Sequence, residues 1–502
     1  MIPHIVSLPQ GDRVYISGGY NKPLGKEDLD FISKFKEIYI GVAQGEGQTP
    51  QYISRVPANM DFNHSIDNLP DSIELINLGN GFNIPINRYP IGLKSMTFGS
   101  SFNQTVNILP ETVIKLVFGN SFNKKISHLP SSLKYLEFGR MFNQEITQLP
   151  DNITELIFGY EYDQYIEVYP KNLKKVTFGN NFNQPLGTFN EGLTHITFGT
   201  HFNQKIDNLP DSVTNIYFGN AFNQEIKKLP NSLKVLAFDY SFNQEVKKYS
   251  PNLSIIKFGG KFNREINNLP EGLEYLILGD NFNKSIDKLP NSIEKIYLGR
   301  SFNQPINNLP SSLIEIEFGN SFNQPIDNFP DNVRKIKLGP SFNQPIKHLP
   351  MELEEIDFGR NFNKSIDFIP PKITHLEFPI ITEFDQPLTN LPKTIKKLEI
   401  PIYYTHDIPK LHEGLHTLYI GVKPITINGI TRILKLIDTT SEKKLFNLEI
   451  NLFPDSLREI YVFDEYDYRK KLAVIIETYN KNVGYNRLNL NVITENYTTY
   501  LK

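Results

Sequence analysis

The dipeptide Phe-Asn returns every 20 residues along this chain without a slip. It stands at 62, 82, 102, 122, 142, 182, 202, 222, 242, 262, 282, 302, 322, 342 and 362, and the one gap, at 162, holds the conservative pair Tyr162-Asp163. A length of 502 residues would otherwise suggest several independent domains, but repetition this strict points to a periodic architecture. A 20-residue unit cannot bury its own apolar face, so neighbouring copies must stack and the core must grow along one direction. The 39% hydrophobic content supplies enough material for such a core.

Residues 301–320 illustrate the unit. Leu313, Ile316 and Phe318 form Leu-x-x-Ile-x-Phe, and the alternation of Ile316 and Phe318 with polar residues is the two-residue period of a strand with one buried face. Gly319 follows, where the chain is expected to turn sharply and a Cβ would clash. Fourteen of the sixteen copies carry glycine here; Asp239 and Pro379 are the exceptions. Phe302 is large enough to fill the wedge between coils. Asn303 is expected to point inward and satisfy backbone groups of its own loop and of the neighbouring one, since buried backbone groups must be paired. Ile306 and Leu309 return to the core, and Pro310 suits an extended return path that needs no ladder N–H.

Twenty residues leave no room for a full helix on the return side. The fold class expected is therefore a β-rich solenoid, a right-handed coil of the leucine-rich-repeat kind. It has a long parallel sheet on one face, short extended or 3₁₀ segments on the other, and a few helices at the ends.

The Phe-Asn-x-Pro-Ile core at 302–306, 322–326 and 342–346 resembles the FNIP repeat, a relative of leucine-rich repeats. The resemblance spans about 60 to 400. It implies a solenoid and a source among slime-mould amoebae or the giant viruses that infect amoebae. The family's usual repeat is slightly longer, so curvature is expected to differ. Members often carry an N-terminal F-box that recruits a ubiquitin ligase. Residues 1–60 read instead as degenerate repeats and a cap: Val14 to Leu24 as a repeat, Lys26 to Lys34 as a short helix, Phe35 to Gly41 as a strand. Sixteen repeats occupy 61–380. Region 381–502 reads as irregular repeats and a C-terminal cap, with strands at Ile395/Leu398/Ile400, Leu415/Leu418/Ile420, Leu445/Leu448/Ile450, Leu457/Ile460/Val462 and Leu488 to Val492. Helices are expected at Ile427 to Asp438 and Tyr466 to Tyr479.

Charge and motifs argue against chemistry. Lysine plus arginine (52) nearly balance aspartate plus glutamate (55), for a formal net charge of −3, which offers no footprint for nucleic acid or for a membrane surface. There is no cysteine, hence no disulfide and no thiolate metal site. No signal peptide is read at the start, and an intracellular, cytoplasmic or virion location is expected. His412-Glu413-Gly414-Leu415-His416 matches a zinc-protease pattern, but Glu-Gly-Leu recurs at 191–193 and 271–273 in repeat register. Leu415 should therefore begin a strand, and the histidines should not share a helix face. Gly45-Glu46-Gly47 lacks the strand and helix of a phosphate loop. His195 and His375 read as isolated. No catalytic, cofactor-binding or metal-binding residue is assigned, and no cofactor is expected.

Function is expected on the outward strand positions, which vary while the core does not. The candidate protein-binding face comprises Tyr135, Ile157, Tyr217, Val235, Ile255, Tyr275, Ile277 and Tyr297, residue types enriched in interface cores but also favoured on any sheet surface. Arg334, Lys335 and Lys337 lie between acidic rows (Glu315, Glu317; Glu354, Glu355, Asp357) and should pair across strands. The leading expectation is a non-enzymatic scaffold for protein–protein interaction. The alternatives are a structural component of a virus particle and a substrate-recognition subunit for ubiquitin ligation.

Overall fold

The computed structural model describes residues 5–7, 12–17, 20, 22–41, 62–106, 109–378 and 382–401. Beyond these it describes 404, 406, 414–415, 417–420, 425–427, 430–432, 459–463 and 489–493. The chain divides into two compact units, Met1–Ile255 and Ile256–Lys502.

In the first unit β1 (Ile5–Ser7) lies antiparallel on β2 (Arg13–Ile16), and β2 pairs in parallel with β3 (Glu37–Ile40), with the helix α1 (Lys26–Ile32) between them. β4 (Leu75–Leu78) follows β3, and from there each strand pairs in parallel with the next in chain order. The strands are three residues long, spaced by 20 from β5 (Ser95–Thr97) to β12 (Val235–Ala237). β13 (Ile255–Lys257) holds the division between the units. The second unit repeats the pattern from β14 (Tyr275–Ile277) to β19 (His375–Glu377), then through β20 (Lys397–Ile400), β21 (Thr417–Ile420), β24 (Glu459–Phe463) and β25 (Asn489–Ile493), all parallel. β22 (Ile425–Ile427) and β23 (Ile430–Arg432) form a separate antiparallel pair.

One coil shows why these residues take this form. Leu133, Leu136 and Phe138 are buried, while Tyr135 and Glu137 face outward. A turn closes from Gly139 to Phe142, whose N–H donates to the Gly139 carbonyl (3.4 Å), and another from Pro150 to Ile153 (3.2 Å). Between the turns the return path is extended, and no 3₁₀ segment occurs among the described residues. Bonds to the coil below, such as Lys134 N–H to the Ile114 carbonyl (2.9 Å) and Met141 N–H to Asn120 (2.8 Å), tie each coil to its neighbour.

Two aromatic columns fill the first unit. Phe122, Phe142, Tyr162 and Phe182 stack with centroids 5.9–6.3 Å apart, and Phe118, Phe138 and Phe158 stack at 5.5 and 5.8 Å. Within a coil the columns meet at about van der Waals contact, as Phe138 and Phe142 do at 3.9 Å. The glycine after the repeat strands stands where a Cβ would clash, as expected. Gly41, after β3, takes a positive φ of 68°, but Gly319 does not; a Cβ on Gly319 would sit 2.1 Å from the carbonyl oxygen of Gly299. The clash is with the coil beneath, not with the residue's own turn. Pro379 lies outside the described residues.

The asparagines make the expected bond to the neighbouring coil but without the expected inward burial. They are half-buried at most, and their Oδ1 atoms serve the next coil: Asn323 N–H donates to Asn303 (2.9 Å) and Asn343 N–H to Asn323 (2.9 Å). The following glutamine joins in, with Gln324 Nε2 donating to Asn303 Oδ1 at 3.2 Å. Asp163 does the same work at the gap, accepting from Asn183 N–H at 2.8 Å. The helix expected at Ile427 to Asp438 is corrected at its start, where β22 and β23 stand. The expected strand at Leu445 and helix at Tyr466 to Tyr479 lie outside the described residues.

Candidate functional site

Every outward position is set by its inward neighbours, because burying Leu136 or Ile296 turns the residues on either side to the opposite face. All eight residues singled out from the sequence lie on strands with this orientation. Seven are half-buried, and Tyr217 is exposed at 39%. They do not form one row. In the first unit Tyr135 and Ile157 are on consecutive strands, while Tyr217 and Val235 are on β11 (Asn215–Tyr217) and β12, and Lys175, Thr177, His195 and Thr197 intervene. In the second unit Ile277 is the register partner of Tyr297, and Tyr275 that of Lys295.

The tyrosines are not bare. Lys115 sits over the Tyr135 ring, 5.0 Å from its centroid, and the Tyr135 hydroxyl donates to Glu137 Oε2 at 2.5 Å. Burial and this hydrogen bond push the phenol pKa well above its ordinary value. Lys295 lies 5.5 Å from the Tyr275 centroid and 3.3 Å from Glu315, whose hydrogen bond raises the lysine pKa. Burial, then Glu315, raises that of Tyr297.

The charged rows pair as the register requires. Arg334 reaches Glu354 (2.9 Å), Lys335 reaches Glu355 (3.2 Å) and Lys337 reaches Glu317 (2.7 Å). Burial works against the Lys397 ammonium, but Glu377 (2.6 Å) and Glu399 (3.2 Å) outweigh it and hold its pKa high. The histidines are less isolated than expected: His195 Nδ1 is 2.9 Å from Thr194 Oγ1, and His375 Nδ1 is 2.9 Å from Thr374 Oγ1 and 3.9 Å from Glu355.

Sequence reasoning missed an N-terminal aromatic pair, Tyr15 and Tyr39, register partners stacked at 5.0 Å. Alternation of Tyr with Val14, Ile16, Ile38 and Ile40 was the available signal. His412, Glu413 and His416 of the protease-like motif, and Gly45-Glu46-Gly47, lie outside the described residues; Thr417–Ile420 is a strand. Among the described residues no group of three or more ligating side chains gathers, and no helix is long and apolar enough to cross a membrane.

One of the similar solved structures agrees with the fold. A circular leucine-rich-repeat protein of the giant virus CroV is 28% identical with a TM-score of 0.59, over 96% of this chain and 79% of that one. YopM from Yersinia enterocolitica is 18% identical with a TM-score of 0.44, over 74% of this chain and 78% of its own. YopM from Yersinia pestis is 20% identical with a TM-score of 0.33, over 66% and 84%. No curated protein sequence matches. The model of the FNIP Repeat matches residues 105–141, 142–181, 182–221, 222–250, 262–289, 282–321, 322–349 and 342–379. These matches cover more than half of the chain and coincide with its stacked coils, so the protein belongs to the FNIP repeat family.

Proposed function

We propose that the chain is a non-enzymatic scaffold that binds protein through the outward face of its parallel strands. The observation that supports this most is the contrast within single strands. Inward residues such as Leu136, Ile216 and Leu276 are buried aliphatics, whereas their outward neighbours change from coil to coil among tyrosine, aliphatic, lysine and glutamate. A stiff backbone carrying changeable side chains suits recognition of an extended partner surface, and tyrosines concentrate binding energy in such interfaces.

The test uses the full chain as bait. Tyr217→Asp combined with Tyr275→Asp alters one outward tyrosine in each unit and no core residue. Capture of the protein partner should be lost while the circular dichroism spectrum stays that of the parent. Capture at the parental level by a folded double variant would retire this face. A particle component would instead be abundant in purified assemblies and indifferent to both substitutions.

A further inference from the structure

Each unit pairs some of its outward cations, the first joining Arg13 to Glu37 and both Lys36 and Lys94 to Glu74. In the second, Lys295, Arg334, Lys335, Lys337 and Lys397 each lie within 3.3 Å of a carboxylate from a neighbouring coil. In the first, Lys115, Lys134, Lys174 and Lys175 are exposed and make no ion pair among the described residues. Lys115 opens β6 (Lys115–Val117) and Lys175 opens β9 (Lys175–Thr177), Lys134 and Lys174 stand immediately before β7 (Tyr135–Glu137) and β9, and β8 (Glu155–Ile157) carries no lysine. Lys115, Tyr135, Glu155 and Lys175 form one register row. Lys134 and Lys174 belong to the row beside it, joined through Thr154 by backbone bonds of 2.8 and 2.9 Å.

Carboxylates within this patch do not balance it. On the strands Glu137, which the Tyr135 hydroxyl engages, and Glu155 face Lys115 and Lys175, and Lys134 and Lys174 beside the strands bring the ammonium groups to four against two carboxylates. Ile114, exposed at 41%, and the half-buried Val117 and Ile157 supply apolar surface between the charges.

Resting on the protein-binding reading above, we infer that the β6–β9 face takes an extended acidic polypeptide segment in which carboxylates alternate with aromatic or aliphatic side chains. The carboxylates would meet the lysines, and the alternate side chains would lie on Tyr135, Ile157 and Ile114. At about 4.8 Å per strand the patch is about 14 Å wide, which four to five extended residues at roughly 3.3 Å each would cross. A nucleic-acid backbone fits less well, because its unbroken row of phosphates would have to run over Glu155 and the apolar positions.

Fluorescence anisotropy with the full chain tests this. The probe is a labelled ten-residue peptide alternating glutamate and tyrosine. Its comparators are a lysine–tyrosine peptide, an oligothymidylate of equal charge and phosphatidylserine vesicles. The acidic peptide should bind in preference to all three, and binding should weaken as salt is raised. Lys115→Glu with Lys175→Glu should weaken it about tenfold or more. Lys124→Glu with Lys125→Glu, an equal charge change off the strands, should leave it unchanged. Equal effects of the two double variants, no binding of the acidic peptide, or preference for the oligonucleotide or vesicles would overturn the inference. A partner whose capture needs Tyr217 and Tyr275 but ignores Lys115 and Lys175 would leave the interaction face standing and remove only its acidic preference.

Discussion

At Gly139 one methyl group is enough to push neighbouring coils apart. Its Cβ would stand 2.1 Å from the Gly119 carbonyl oxygen, and backbone cannot yield as a flexible side chain can. Gly139→Ala should cost about 3 kcal/mol, the upper range for overpacking, read from urea denaturation; a loss under about 0.5 kcal/mol would mean the coils are not in this contact. Tyr162 makes the opposite case. It replaces the phenylalanine of its column, is fully buried, and its hydroxyl has no hydrogen-bond partner among the described residues. Tyr162→Phe should therefore stabilise the protein by about 1 kcal/mol, since an unsatisfied buried hydroxyl costs about that much or more. A lower melting temperature for the variant would show that the hydroxyl is satisfied after all.

At the scale of the element, the polar ladder holds what the apolar columns align. Asn303 Oδ1 accepts from Asn323 N–H and Gln324 Nε2 at 2.9 and 3.2 Å. Asn303→Ala strands both donors and should cost about 1–2 kcal/mol, whereas Asn303→Asp keeps the acceptor, as Asp163 does naturally, and should cost much less. Chemical denaturation of the two variants checks the ranking, and equal losses would contradict it. Strands, columns and the outward setting of all eight face residues were legible because Leu-x-x-Ile-x-Phe repeats in fixed register. The bond of Asn303 to the neighbouring coil was legible too, but its half-exposed setting was not, since a spacing of 20 does not say which side of the coil wall the residue takes. The β22–β23 pair was misread as helix through its apolar spacing, although Asn428-Gly429 between two Ile-Thr runs is a hairpin signature. The pairing of Arg334, Lys335 and Lys337 with the flanking acidic rows was legible from the 20-residue spacing, whereas that of Lys295 and Lys397 became visible only in the structure.

At the scale of the whole molecule, stability should respond to acid. Hydrogen bonds from Lys94 and Lys36 hold the Glu74 carboxyl below its ordinary pKa, one from His128 does so at Glu111, a backbone bond from Asn231 at Asp211, and one from Lys372 at Glu352. A depressed folded-state pKa contributes stability that is complete above the unfolded value, about 4, and is lost as pH falls through the folded one. The melting temperature should be level from about pH 6 to 8 and fall below about pH 4; a maximum near pH 3 would reverse the sign. No coil has a core of its own, and amide hydrogen exchange on Phe182→Ala tests that claim most directly. Phe182 stacks between Tyr162 and Phe202 at 6.3 and 6.0 Å, so its removal opens a cavity worth about 3–5 kcal/mol. Exchange should quicken in peptides covering 162–181 and 202–221 as well as 182–201. Quickening confined to 182–201, with both neighbours as slow as in the parent, would contradict the stacked coil.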